Sequence, residues 1–527
     1  MVPTLLSPSD EASLAENPLP CYIFSIPPEI LSKIMLMCDR DLTIWDETRR
    51  SRPAGHNIPV RLTQICSSWR SLALDTRELW SSVTLVLNRR LTGKISAITK
   101  CADYWLAKGQ RSKLALEIHI GFTVKKGNDL ESIGQLLTAR ASDWRTLTIA
   151  NCSDSMAAYV IAKMAQSTYP SLEEFKLPAF STIWDTHFEV LAALPRLRTV
   201  SLLTRRYPSN YNNFILPFLP WSQLESVSIS PPVSGHECLD VLTNCTELMT
   251  LELHVVSDVL DAESCRPVTL SNLSRLRLVA CPTSAYEYTS DIESFLDVLH
   301  LPILVDLDLH FIGRHPWNPL VSSFWERHAA QLRSLELSNV YFLADARALF
   351  LTVPNLTSLK LSVYQHGIAL TVPDFDALRV EQLLPALTHL DVPVSHERPV
   401  IDSIRSATAF LEARTTATTG VARIAQARFT DLSFWYPKAI AEELHCLRAL
   451  ETQGVDVHWI LRGRDMLASR ATSISPSTHS RSTRSLSSWS SSEDYSDTPP
   501  TTSLVKPKRN PLRRLWQSIK NIRLGLV

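Results

Sequence analysis

A six-residue phrase recurs along most of the chain, with Leu, Ile, Val, Phe or Trp at positions one, four and six. It reads WRTLTI from Trp144, LEEFKL from Leu172, LRTVSL from Leu197, LESVSI from Leu224 and LMTLEL from Leu248. It continues as LSRLRL from Leu273, LVDLDL from Leu304, LRSLEL from Leu332, LTSLKL from Leu356 and LTHLDV from Leu387. Positions four and six alternate with polar neighbours, as on a strand buried on one face, while position one ends the preceding segment and packs beneath it. Proline stands two residues ahead of the phrase at Pro170, Pro195, Pro302, Pro354 and Pro385, where a preceding helix has to stop. Helical spacing fills several intervals: Ile292, Phe295, Leu296 and Leu299 share one face, as do Phe375, Leu378 and Leu383 or Leu384. Each unit is therefore helix, proline stop and short strand.

The ten starts lie 24 to 31 residues apart, a period expected of leucine-rich repeats. The sequence resembles a leucine-rich-repeat solenoid, which implies an α/β fold with a parallel sheet on one side and helices on the outer side. Stacking is required because a lone unit cannot bury its own apolar face. The asparagine or cysteine that usually follows the strand in that family is matched only by Cys152 and Cys281, so an irregular turn ladder is expected. An ordinary doubly wound domain, the competing packing, needs longer strands of varied apolar length. Val83–Leu87 and Leu114–Ile120 are the first strands. Towards the end, IDSIRSATAFLEAR and PKAIAEELHCLRALETQG read as helices, VARIAQARF and VDVHWIL as strands, and Gly454 as a helix C-cap.

Ahead of the repeats, Ser25 to Trp80 reads as two short amphipathic helices. In SIPPEILSKIMLMC, Pro27 and Pro28 fit only a helix start and Glu29 suits the first turn. Ile30, Leu31, Ile34 and Cys38 share a face, and in RLTQICSSWRSLAL so do Leu62, Ile65, Cys66, Trp69, Leu72 and Ala73. The charged stretch between them, Asp39 to Asn57, reads as a solvent-exposed loop. The order Ile-Pro-Pro-Glu-Ile-Leu, Ile65-Cys66, Trp69-Arg70, Leu79-Trp80 resembles the F-box, and more closely the F-box-like version of mushroom-forming fungi. That resemblance implies a small all-α, three-helix module docking on a Skp1-type adaptor of a cullin ligase core. Carried over residue by residue, it implies adaptor contacts at Ile26, Pro27, Pro28, Glu29, Ile30, Leu31, Ile34, Ile65 and Trp69. Two features depart from the family: the long loop at Asp39 to Asn57, and Ser67 where a basic residue usually follows the cysteine. The alternative is that the same apolar residues only close the end of the repeats, as the cap of a non-ligase scaffold.

Composition narrows the function further. The chain has 527 residues, 45% hydrophobic and 20% charged, as in globular proteins. It has no run of 18 apolar residues and no secretory leader pattern in its first 25, so a cytoplasmic or nuclear location is the expectation. Ten cysteines without a C-x-x-C pair read as buried thiols, not as a metal site or disulfide framework. The 13 glycines form no G-x-G-x-x-G, G-x-S-x-G or Walker spacing, and H-E-x-x-H is absent, so no catalytic site, cofactor or metal is signalled. His300 with Asp306 and Asp308 is a proximity that polar repeat surfaces produce by chance. Along the repeats basic and aromatic residues do not interleave, so no nucleic-acid partner is expected there.

Five segments follow: a disordered N-terminus over 1–20, the F-box-like domain over 21–82, the solenoid over 83–465, a linker over 466–505 and a basic tail over 506–527. Residues 473–503 hold 13 Ser and 5 Thr in 31 positions, too few apolar groups to offset the entropy of ordering. Within this stretch Ser475-Pro476 and Thr498-Pro499 fit proline-directed phosphorylation, or the stretch is a plain solvated spacer. The last 22 residues hold seven Lys or Arg and no acid, leaving 46 basic against 53 acidic residues elsewhere. There Leu512, Leu515, Trp516, Ile519, Ile522 and Leu526 share one helical face. Three readings fit that tail: weak contact with a membrane surface, a nuclear-import patch, or a last helix docked on the solenoid. Taken together, the sequence predicts a non-enzymatic substrate-recognition subunit of an SCF-type ubiquitin ligase, whose repeats bind a protein substrate of unknown identity.

Overall fold

The computed structural model describes residues 26–38, 42–44, 57–87, 93–109, 113–120, 128–178, 189–203, 216, 219–256, 266–281, 292–317, 323–342, 346–362, 370–394, 400–416, 420–431, 440–461 and 464–467. Residues 1–20, residues 468–505 of the linker and the basic tail lie outside them. The chain divides into two units, Met1–Ala468 and Ser469–Val527, and the account below concerns the first.

The strands are β1 (Leu42–Ile44), β2 (Ser82–Leu87), β3 (Leu114–Ile120), β4 (Trp144–Ala150), β5 (Glu174–Pro178) and β6 (Thr199–Leu203). Next come β7 (Ser226–Ser234), β8 (Thr250–Val256), β9 (Val268–Thr269), β10 (Arg275–Cys281), β11 (Leu299–His300) and β12 (Asp306–Trp317). The series ends with β13 (Ser334–Phe342), β14 (Ser358–Ser362), β15 (His389–Val394), β16 (Gln426–Asp431), β17 (Asp456–Leu461) and β18 (Arg464–Asp465). Among the described residues sixteen of them form one sheet in chain order, with β9 and β11 making a separate pair. Every pairing in the large sheet is parallel except β17 with β18, which turns back antiparallel at the far edge.

The helices that matter below are α1 (Pro28–Met37), α2 (Ile58–Ile65), α3 (Ser67–Asp75) and α4 (Ile95–Leu106). Among the described residues the later intervals hold helices of 12 residues at Asn128–Ala139, four at Glu189–Ala192 and 17 at Val400–Thr416, and a 3-10 turn at Trp221–Gln223. The constant feature is the strand.

The phrase explains that constancy. Position one is buried in each of the ten phrases, from Trp144 to Leu387. Position four forms a continuous inward row of register partners, running through Val83, Leu116, Leu147, Phe175 and Val200 to Leu335, Leu359 and Leu390 and buried throughout. At about 25 cal/mol per Å² of apolar surface, such a row is the main source of stability, and it grows only by adding units. The structure also shows the phrase at WSSVTL from Trp80 and at IAQARF from Ile424, because Val83, Leu85, Ala427 and Phe429 occupy the same inward positions.

Turn chemistry varies from unit to unit, as the poor match to the asparagine pattern predicts. Trp80 and Trp144 each donate from the indole to a carbonyl seven residues earlier, Ala73 at 2.8 Å and Leu137 at 2.9 Å. Gln223 and Gln331 serve other turns, each donating to a leucine carbonyl at 2.7 Å. Arg414, buried against Phe410, donates to the carbonyls of Leu383 and Leu384 at 2.7 and 2.9 Å. Burial pulls this guanidinium down to about 10. Asn151, just after β4, and Asn339, within β13 where its register with β12 shifts, take positive φ, the left-handed conformation for which asparagine is suited. Gly454 does the same at φ +84° beyond the last helix.

Two expectations change at the N-terminus. The second helix is broken at Cys66, which is extended and accepts the Trp69 N–H on its sulfur at 3.5 Å, so α2 and α3 are separate. The stretch Asp39 to Asn57 is not all exposed loop: Leu42–Ile44 pairs with Val83–Leu85 as the first edge strand, and Leu42 is buried. Its alternation of Leu42 and Ile44 around Thr43 was hidden among charged neighbours.

Candidate functional site

The N-terminal helices pack on the first full strand through Trp80. Its ring is fully buried and stacks on Trp105 of α4 at 4.8 Å between centroids. Its backbone also passes so close to Gly109 that a β-carbon there would meet the Trp80 carbonyl oxygen at 2.9 Å. Within the module, Arg70 Nε donates to the Thr63 carbonyl at 2.8 Å, and Thr76 Oγ1 donates to Ser32 Oγ at 3.2 Å. These bonds tie α3 to α2 and to α1.

Pro27 caps α1 and its carbonyl accepts the N–H groups of Ile30 and Leu31, both at 3.0 Å. The helix then carries apolar residues on two sides. Leu31 and Met35, one turn apart, are buried at 7% and 1% exposure. Ile30, Ile34 and Met37, at i, i+4 and i+7, form a second stripe that stays exposed at 46%, 42% and 86%. Ile65 at the end of α2 is 59% exposed. Four of the ten large hydrophobic side chains exposed on the described residues thus fall on α1 and α2.

Of the sequence-predicted contacts, Pro27, Pro28, Glu29, Ile30, Ile34 and Ile65 lie at the surface, Ile26 and Trp69 are half-buried, and Leu31 belongs to the module's own core. Leu31 thus lies on the buried side of α1 with Met35, one turn on. Met37 was missed, although its spacing from Ile30 and Ile34 would have found it.

The second candidate surface is the open side of the sheet. Outward position five runs in register through Thr84, Glu117, Thr148, Lys176, Ser201, Ser228 and Glu252. It continues through Arg277, Asp308, Glu336, Lys360, Asp391, Arg428 and His458. No apolar residue interrupts it. From β2 to β7 this face is dominated by hydroxyls, with Ser82, Thr146, Thr199 and Ser226 in the parallel row beside Thr84, Thr148, Ser201 and Ser228. From β8 onward it is dominated by charge.

There Arg277 lies between Glu252 at 3.2 Å and Asp308 at 3.0 Å, Lys360 meets Glu336 at 2.6 Å, and Arg275 meets Asp306 at 3.2 Å. Burial, aided by the neighbouring Glu336 carboxylate, pushes Asp308 up to about 6 against the pull of Arg277. Burial likewise raises Asp391, and it holds His254 down to about 4 with help from Arg277 and His310. At the far edge, Asp465 and Asp456 lie 2.6 and 3.1 Å from the two ring nitrogens of His458 and raise its pKa.

Asp306 and Asp308 engage arginines on the open face, while His300 sits in β11, with its ring 5.8 Å from that of His328. Among the described residues no group of three or more His, Cys, Asp or Glu is placed to hold a metal ion, and no helix is long and apolar enough to cross a membrane. Cys152, Cys238, Cys245 and Cys281 are buried free thiols. Compared with known families and curated proteins, the chain matches no family model and no curated protein.

Proposed function

We propose that this chain is a substrate-recognition subunit of an SCF-type ubiquitin ligase, acting without chemistry of its own. In this reading α1 to α3 form an F-box-like module that binds a Skp1-type adaptor, and the leucine-rich-repeat-like sheet holds a protein substrate. The supporting observation is the apolar stripe of Ile30, Ile34 and Met37, left exposed although α1 already buries Leu31 and Met35 beneath it. An exposed stripe of this kind costs solubility and stabilises nothing in the isolated chain, which is the signature of a surface covered by a partner. Its chemistry suits helix-on-helix docking, with the stripe at the centre and the exposed Pro27, Pro28 and Glu29 at the rim. The place of action is the cytoplasm or nucleus, with the cullin ligase core brought in through the adaptor.

The rival reading, a scaffold whose helices only cap the sheet, draws on β1 and Trp80, which do close the first edge. Capping accounts for Leu42, Leu79 and Trp80 but leaves the outer stripe without a role. A pull-down of the full chain with a Skp1-type adaptor separates the two. Wild type is expected to bind, and Ile30→Ser with Ile34→Ser to lose binding while keeping its circular dichroism spectrum. Failure of the wild-type chain to bind overturns the ligase reading and leaves the cap.

A further inference from the structure

Arginine and lysine carry the same charge, yet they are distributed unevenly along this chain. Residues 1–176 hold nine lysines and 12 arginines, whereas residues 177–505 hold 23 arginines and two lysines, Lys360 and Lys438. Lysine returns in the tail, where Lys506, Lys508 and Lys520 stand among four arginines. A bias acting on the whole chain would leave the ratio constant. Side-chain geometry accounts for part of the change. Arg414 spreads one planar fork over the carbonyls of Leu383, Leu384 and Pro385, Arg327 reaches those of Asp297 and Leu299, and Arg277 meets two carboxylates. Geometry does not account for Arg198, Arg275, Arg347 and Arg379, each paired with a single carboxylate. Lysine makes such pairs as well in the first third, Lys113 with Glu173, Lys163 with Glu131 and Lys176 with Glu174. Nor does it account for Arg196, Arg266 and Arg423, which are exposed and make no hydrogen bond or ion pair among the described residues. From β6 to β18 thirteen arginines are exposed, while Lys360, the single lysine of that stretch among the described residues, is half-buried against Glu336 at 2.6 Å. What is missing there is an exposed amine.

An amine and a guanidinium differ in nucleophilicity. In ubiquitin transfer an uncharged ε-amine attacks the thioester carbonyl at the ubiquitin C-terminus. An N–C bond forms, the C–S bond to the transfer enzyme's cysteine breaks, and the thiolate leaves as the amine gives up its proton to solvent. Lysine, with an ordinary pKa of about 10.4, supplies that amine; a guanidinium, delocalised and protonated to about 12.5 or beyond, does not. We propose that the repeat units from β6 onward are the part of this chain that faces the ubiquitin-charged transfer enzyme, with arginine in place of exposed lysine so that ubiquitin passes to the held target. The inference rests on the ligase reading of the N-terminal helices and adds where the transfer partner works. The layout of the fold agrees with it. The units from β2 to β5, next to those helices in the sheet order, keep Lys94, Lys100, Lys108, Lys113, Lys163 and Lys176, and arginine takes over beyond them.

The test uses the full chain in a reconstituted reaction with a Skp1-type adaptor, cullin, RING subunit, charged transfer enzyme and ubiquitin. Acceptor lysines are mapped by mass spectrometry. The variant Arg196→Lys, Arg266→Lys, Arg379→Lys, Arg423→Lys keeps every charge and places four amines along the stretch. The rate of ubiquitin transfer at each lysine is divided by its rate of acetylation with a free amine-reactive ester, which removes differences in exposure and pKa. On that scale the introduced lysines are expected to accept ubiquitin about ten-fold or more faster than Lys33, Lys94, Lys100 and Lys113 of the same chain, the gain from a nucleophile within reach of a tethered enzyme. Equal or slower transfer at the introduced lysines overturns the proposal. If the variant melts below wild type, Arg266→Lys with Arg423→Lys replaces it, since neither arginine holds anything among the described residues, and the same comparison decides. The adaptor pull-down is run in parallel. Adaptor bound without preferential transfer to the introduced lysines sinks this inference alone, whereas adaptor binding absent from wild type sinks the ligase reading and this inference with it.

Discussion

The helical start and the repeat sheet bury their apolar residues by opposite rules. A strand separates its two sides strictly, so the inward row is apolar from β2 to β16 while the outward row carries not one apolar residue. In α1 the apolar residues wrap more than one side, and of them Leu31 and Met35 are fully buried. A period of two lets one sequence pattern assign every residue to core or surface, whereas a period of 3.6 leaves room for two stripes with different roles. Elsewhere the exposed large hydrophobics, such as Leu203, Leu351 and Val380, stand singly in the chain, apart from the pair Ile303 and Val305, which any surface tolerates. The molecule thus offers two faces of different chemistry: an apolar one at the helices and a charged one on the sheet.

The contrast can be broken at several depths. The largest effect is expected at Trp80, which joins the two regions: Trp80→Ala should cost about 3–5 kcal/mol, as for large aromatic truncations in cores. Urea unfolding would show it as a lower midpoint and also as loss of the module's protection in hydrogen exchange. Ile34→Ser on the outer stripe should shift the same midpoint by no more than about 0.5 kcal/mol. A cost as large as that of Trp80→Ala would mean the stripe is core after all.

Within the sheet the test is one residue wide. Leu335→Ala should destabilise by about 2–5 kcal/mol, while Glu336→Gln, the next side chain on the same strand, should stay within about 0.5 kcal/mol. Equal costs at the two positions would contradict the assignment of inner and outer rows.

The smallest effect is a pH dependence confined to the charged half. Asp308, raised to about 6, takes up its proton in the folded chain before the unfolded chain does. Its contribution to stability therefore grows as pH falls through 6 towards its ordinary value of 3.8. His458, also raised, contributes fully below its ordinary 6.5 and loses that contribution as pH rises through its folded value. Both favour a higher unfolding midpoint at pH 5.5 than at pH 8. His254, His310 and His328, all lowered by burial, oppose them as the unfolded chain takes up protons below 6.5. Asp308→Asn and His458→Gln should therefore each shift the profile towards lower stability at pH 5.5 relative to pH 8. Glu173, lowered by Lys113 and Arg145, acts oppositely, but only as pH falls below its ordinary 4.5. A profile unchanged by both substitutions would remove the electrostatic account of this face.

Much of this was legible along the chain. The phrase located each strand from Trp144 to Leu387, and prolines marked the stop ahead of five of the ten. Gly454 announced its left-handed turn because few other residues take φ +84° without strain. The phrase at Trp80 was equally regular but lay inside a stretch read as helical, so its dual role as helix end and repeat start went unseen. Leu42 to Ile44 was too short and too enclosed by charge for alternation to register.

What the sequence by itself determined is the inward half of the structure: which residues repeat, which way they alternate and therefore that units must stack to bury them. It also placed Pro27 and Pro28 at a helix start, since proline fits there and not within. Tertiary structure alone decided the rest. Glu252, Arg277, Asp308, Glu336, Lys360 and Asp391 are separated by 24 to 31 residues in the chain and become neighbours only when parallel register aligns them. The division of α1 into a buried stripe and an exposed one likewise depends on where α3 and the first strand stand. A local pattern states that a residue is apolar or charged; only packing states what, if anything, covers it.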